Sequence, residues 1–153
     1  MISKNPGIYA LIIHIKNNIN VTLAKNIHYF SPGYYVYLGS AKQYGGVNSR
    51  VNRHLKKNKK LRWHIDYLTT SNSVKIKAIV YTKTIHFKEC AFIKILKKDC
   101  FEIASKGFGS SDCKEKCGAH LLKPIKYKNL KQIILAIEKV FKNKNLKSKI
   151  IIF

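Results

Sequence analysis

Acidic residues are scarce in this chain: 7 Asp plus Glu stand against 30 Lys plus Arg, a formal net charge of +23. The carboxylates are Asp66, Glu89, Asp99, Glu102, Asp112, Glu115 and Glu138, so any hard cation held by side chains takes its ligands from that short set. A single-sign excess of this size opposes compaction unless a polyanion offsets it. Nucleic acid is the expected partner, with binding that weakens steeply as salt rises. The cations are overwhelmingly Lys in a chain also rich in Ile and Asn, a bias that AT-rich coding produces unaided. An anionic membrane surface is the lesser alternative, because no segment is basic on one helical face and aromatic on the other.

Long apolar runs are missing too. Nothing approaches the roughly 18 residues needed to span a bilayer. The greasiest stretches, 8–15 (interrupted by His14) and 150–153, are strand-sized. The first residues run straight into a strand pattern and leave no room for a secretory leader, so a soluble, cytoplasmic protein is expected. Four cysteines, Cys90, Cys100, Cys113 and Cys117, do not make a secreted disulfide framework. Cys90 reads as a small buried hydrophobe and Cys100 falls near the end of a helix. A length of 153 residues with 46% apolar content suits one core. Residues 1–125 read as the main domain, with a helix and apolar tail over 126–153 packed on it, as monomer or homodimer.

The residues present give an α+β pattern. Residues 7–15 predict a strand buried on both faces, 20–29 its hairpin partner, and 34–38 a second hairpin arm halted by Gly39. Val47, Val51 and Leu55 recur every fourth residue and predict a helix over 47–57, with Arg50 and His54 on an adjacent stripe where they project together. A short helix follows at 63–68, a strand at 74–82 and a helix at 87–97 with Glu89 near its first turn. Gly107 to Ser111 reads as a flexible loop. Residues 129–142 form the clearest amphipathic helix, and the tail 149–153 has to dock, as an edge strand or on a partner.

Phosphodiester hydrolysis needs a group to activate water, a cation for the developing charge and usually a metal on a carboxylate. Tyr9 and Tyr37 on glycine-punctuated strands, Arg50 and His54 on the next helix, and Glu89 early in another supply those residue types. Spacing leaves the structural readings open: strand tyrosines belong first to cores, a helical arginine to a solvated face, and an early helical glutamate to the helix dipole. Trp63 fits a core or a base-stacking platform, while His64 and Asp66 fit a supporting pair near a site or, for Asp66, a helix cap.

Taken in order, Gly7-Ile8-Tyr9, Tyr37-Leu38-Gly39-Ser40-Ala41, Arg50-x-x-x-His54 and Glu89 resemble the GIY-YIG nuclease family over residues 7–100. The stretches 33–41, 63–68, Glu89-Cys90 and 107–113 are similar to its archaeal Uri-type branch. The resemblance implies a three-stranded antiparallel sheet flanked by helices, and an endonuclease acting structure-selectively on DNA in preference to RNA, in repair or branched-DNA processing. It implies that Tyr9 orients or deprotonates the attacking water, with His54 the other candidate base, and that Tyr37 hydrogen-bonds in the same pocket. Arg50 would stabilise phosphate charge and Glu89 hold one Mg²⁺ or Mn²⁺. Gly7 and Gly39 would permit close backbone approach. Tyr-Leu-Gly stands where the family has Tyr-Ile-Gly, a conservative exchange. The alternative is a DNA- or RNA-binding module that keeps the fold without turnover.

Cys113, Cys117 and His120, with Asp112, could form a compact zinc site. Their spacing matches no common zinc pattern, and reduced thiols beside a buried histidine, or a Cys113–Cys117 disulfide, are the alternatives.

Overall fold

The computed structural model describes residues 1–111 and 113–153. Its elements run β1 (Gly7–Ile15), β2 (Ile19–Leu23), β3 (Asn26–Phe30), β4 (Gly33–Ala41), α1 (Gly46–Leu55), α2 (His64–Thr69), β5 (Val74–Lys83), α3 (Glu89–Lys98), β6 (Phe101–Ile103), β7 (Leu121–Pro124), α4 (Leu130–Asn143) and β8 (Ser148–Ile152). The α+β expectation holds. The main sheet has six strands in the order β6-β7-β4-β1-β5-β8, every pairing antiparallel.

The expectation of a three-stranded sheet is therefore corrected: the expected strands 34–38, 7–15 and 74–82 lie side by side as β4, β1 and β5, and further strands extend the sheet at both edges. β6 and β7 are too short to show alternation in the sequence, and β7 joins β4 only through Val36↔Leu122 and Tyr37↔Leu121. The apolar tail docks on the far edge, where Ile150, Ile151 and Ile152 pair with Val80, Ile79 and Ala78. Residues 20–29 do not pair with β1 as expected. They fold on themselves as the separate β2–β3 hairpin, turned at Ala24 with φ 53°.

Period-2 alternation along β1 sorts its side chains between two cores. Ile8, Ala10 and Ile12 enter one cluster with α3 and α4, including Phe92, Ile137 and Phe141. Tyr9, Leu11, Ile13 and Ile15 enter the other with Val47 and Val51 of α1 and Ile65 and Leu68 of α2. Both faces of the strand are covered, which is why it reads as an unbroken apolar run.

Residues 107–111 form the loop expected, but it is anchored on the core. Phe108 is fully buried, edge-on to Phe30 at 5.1 Å and to His28 at 5.4 Å. Gly107 N–H donates to the Gly118 carbonyl at 2.7 Å and His120 N–H to that of Phe108 at 3.0 Å. The glycines supply positive φ, and the phenylalanine between them anchors the turn.

Candidate functional site

The β1–β4 register places Tyr9 opposite Gly39. A methyl group built on Gly39 would overlap the Cζ and hydroxyl of Tyr9, so the phenol lies across the neighbouring strand where only glycine leaves room. That position delivers the hydroxyl to His54 on α1, 2.7 Å from Nε2. Tyr9 is 3% and His54 1% exposed. Burial, then the nearby Tyr37 phenol, push the Tyr9 hydroxyl well above its ordinary range, although Arg50 pulls the other way. Burial, then the Lys59 ammonium, bring His54 down to about 3. Near neutral pH the two form an uncharged phenol–imidazole pair. His54 Nδ1 is buried without a hydrogen-bond partner, so no second bond locks the tautomer and Tyr9 can donate to Nε2 or accept from it.

Tyr37 of β4 stands edge-on to His54 at 6.1 Å, and its ring covers Gly109. Trp63 closes the group, 5.9 Å from the His54 ring. The guanidinium carbons of Arg50 and Arg53 lie 4.4 and 4.6 Å from the Trp63 ring centre, which fixes two otherwise flexible cations. Arg50 also donates to Gln43 Oε1 at 3.4 Å. Trp63 is thus half-buried, packed against the core of this sheet face on one side and lining the site on the other.

His64 and Asp66 do not work as a pair. His64 Nδ1 accepts the Gly109 N–H at 2.9 Å and holds the Phe108 turn. Asp66 is fully buried; it accepts from Arg62 N–H at 2.9 Å and Trp63 N–H at 3.1 Å and pairs with Arg53 and, at 3.6 Å, Lys59. Burial would raise its pKa, but those amides and cations outweigh it and hold the carboxyl below the usual range. Lys59 in turn donates to the Arg53 and His54 carbonyls at 3.1 Å each, satisfying the end of α1.

A cavity of about 690 Å³ collects Tyr9, Tyr37, Arg50 and Glu89 from four different elements. Of the five sequence-picked residues, His54 alone is off the wall, reaching the cavity through Tyr9. Glu89 is half-buried at the first position of α3, close enough for its charge to act on Tyr9. Among the described residues the only other carboxylate lining the cavity is Glu115, which is bridged by Lys88 at 3.5 Å and Lys94 at 3.8 Å. Arg62, Lys88 and Lys114 add positive charge to the wall.

The same cavity reaches a second group. Cys90, Cys113, Cys117 and His120 place their ligand atoms within 4.8 Å of one another, a set able to hold a metal ion. The Cys90 and Cys117 sulfurs are in disulfide contact, Cys113 Sγ lies 3.0 Å from Cys90 and 3.6 Å from Cys117, and His120 Nε2 lies 3.5 Å from Cys90. Three of these residues were legible in the sequence. Cys90, read there as a plain hydrophobe, is the addition; it sits on α3, remote in sequence, and only its place beside Glu89 marked it. Asp112 lies outside the described residues, and Cys100 stays out of the group. A Cys113–Cys117 disulfide, one of the alternatives left open by the sequence, is not formed: those sulfurs are 3.6 Å apart and Cys117 meets Cys90 instead.

No curated protein and no solved structure gives a significant match to the chain. A family described as "Domain of unknown function DUF123" matches residues 8–144, a span holding Tyr9, Tyr37, Arg50, His54, Glu89 and the whole cysteine–histidine group. The chain belongs to that family.

Proposed function

We propose that the chain is a metal-dependent endonuclease of the GIY-YIG type, hydrolysing phosphodiester bonds with DNA preferred over RNA. One observation supports this above all: Tyr9, Tyr37, Arg50 and Glu89, distant in sequence, line one cavity whose remaining charged wall is mostly cationic. A cavity so lined suits a phosphate group, and contacts to phosphate position a nucleic acid without reading its bases, which favours recognition of structure over sequence.

In this reading Tyr9 stays protonated and orients the attacking water, its hydroxyl fixed by His54. A phenol pushed above its ordinary pKa is a hydrogen-bonding group rather than a base at neutral pH, and His54 at about 3 is a weak proton acceptor. Arg50, held by Trp63 and Gln43, presents a guanidinium for the charge that develops on phosphorus oxygens. Tyr37 walls the same space. Glu89, unencumbered by the lysines that engage Glu115, is the residue that would hold a Mg²⁺ or Mn²⁺, an ion that commonly keeps several waters and needs few protein carboxylates. Such an ion would supply Lewis acidity and lower the pKa of a bound water, so that groups as weakly basic as Tyr9 and His54 need not deprotonate free water.

The competing reading, a nucleic-acid-binding module without turnover, draws on the near-complete burial of Tyr9. Labelled duplex, flap, bubble and single-stranded DNA, with RNA counterparts, incubated with Mg²⁺ or Mn²⁺ separate the two. Cleavage that Glu89→Gln abolishes and Arg50→Ala lowers by roughly 10²–10³, binding retained, is the expected result. Binding without cleavage on every substrate would sink the enzyme and leave the module.

A further inference from the structure

The cysteine–histidine group is not needed for the hydrolysis outlined above, and it is the most complete unassigned ligand set among the described residues. We propose that Cys90, Cys113, Cys117 and His120 bind one Zn²⁺ in a closed tetrahedral site that ties the first turn of α3 to the segment before β7. Three sulfurs and an imidazole are soft-to-borderline donors, and their number completes a structural zinc site with no position left for water. Zinc–sulfur bonds of roughly 2.3 Å at tetrahedral angles set neighbouring sulfurs about 3.7 Å apart, with nitrogen slightly nearer. The Cys113–Cys117 separation of 3.6 Å and the Cys90–His120 separation of 3.5 Å already have that length. Cys90 lies nearer than that to Cys113, at 3.0 Å, so zinc binding would have to move its thiolate outward. A Cys90–Cys117 disulfide uses two of the four groups and gives no reason for a third sulfur and an imidazole to converge on them. It also demands an oxidant, whereas zinc binding only releases thiol protons. Three thiolates on Zn²⁺ leave one net negative charge, and Lys88 and Lys114 stand on the same cavity wall.

The site reaches the hydrolytic residues through backbone. Cys90 follows Glu89 directly, and the His120 carbonyl accepts the Leu38 N–H at 2.9 Å, between Tyr37 and Gly39. A bound zinc therefore fixes Glu89 relative to the strand under Tyr9. This positioning role, unlike the metal site itself, rests on the endonuclease reading.

The whole chain, purified under reducing conditions with zinc supplied and then dialysed, is assayed for metal by mass spectrometry and for free thiols. One zinc per chain is expected, protecting Cys90, Cys113 and Cys117 but not Cys100. Cobalt loading should give thiolate charge-transfer and tetrahedral d–d bands. Cys113→Ser and Cys117→Ser should lose the metal and Cys100→Ser keep it; if the first two fail to fold, wild-type thiol protection and its loss to a chelator carry the test. No retained zinc, retention unchanged in both ligand variants, or a Cys90–Cys117 disulfide in protein that takes up no zinc would each overturn the proposal. None of these readouts needs a nucleic-acid substrate, so zinc without cleavage removes the enzyme alone, and cleavage without zinc removes this site alone.

Discussion

Gly39 and His54 show how single residues set the candidate site. Because the Tyr9 phenol occupies the space a Gly39 side chain would need, Gly39→Ala forces the ring aside. The expected cost is about 1–3 kcal/mol of stability from overpacking, read by urea unfolding, together with loss of cleavage beyond what the stability change explains. His54 makes a pH prediction. Its folded-state pKa of about 3 lies below the ordinary imidazole value, so between them the unfolded chain binds a proton that the native chain does not. Stability should be full above pH ~6.5 and fall as pH drops toward 3. His28 is shifted down by burial and adds to the same slope. Thermal unfolding from pH 7 to 4 should therefore be shallower, not flat, in His54→Gln. An unchanged slope would remove His54 from the account.

At the scale of elements, α1 and α2 are held by charge as well as by packing. Asp66 on α2 binds Arg53 of α1, Lys59 between the helices, and two amides ahead of its own helix. Asp66→Asn keeps the shape, removes the charge and leaves two cations without their anion. Breaking a buried pair in this way costs about 3–5 kcal/mol, so the chemical-denaturation midpoint should fall accordingly, with Arg50 and Trp63 displaced alongside. A change under about 1 kcal/mol, the range of exposed ion pairs, would show that the clamp is solvated. On the other face, Phe141 of α4 meets Phe92 of α3 edge-on at 5.1 Å with both rings fully buried. Phe141→Ala should cost about 3–5 kcal/mol by cavity formation and shift α3, and Glu89 with it.

For the molecule as a whole, the net charge of +23 is the dominant quantity. If nucleic acid is the partner, a footprint engaging six or more phosphates should lose roughly 10³-fold or more in affinity between about 50 and 200 mM salt. Titrations at several salt concentrations read that slope directly, and a flat response would exclude a phosphate-driven interface. Among the described residues no helix is long and apolar enough to cross a membrane.

What the sequence determined alone was whatever is encoded locally. Four-residue recurrence in α1 and α4, alternation in β5 and the doubly covered run of β1 gave the elements to within a residue or two, while the rarity of carboxylates left seven candidates from which the family resemblance, not composition, picked Glu89. Tertiary structure decided the partnerships. Strands as short as β6 and β7 carry no period, so that edge of the sheet was invisible; the burial of Phe108 within its loop appeared only when the hairpin and His64 enclosed it; and Cys90 became a ligand candidate only when α3 delivered it to Cys113, Cys117 and His120. The physical reason is common to all three: a side chain's type is written in the chain, but its burial, charge and neighbours depend on segments far away in sequence, and those exist only once the sheet has closed around them.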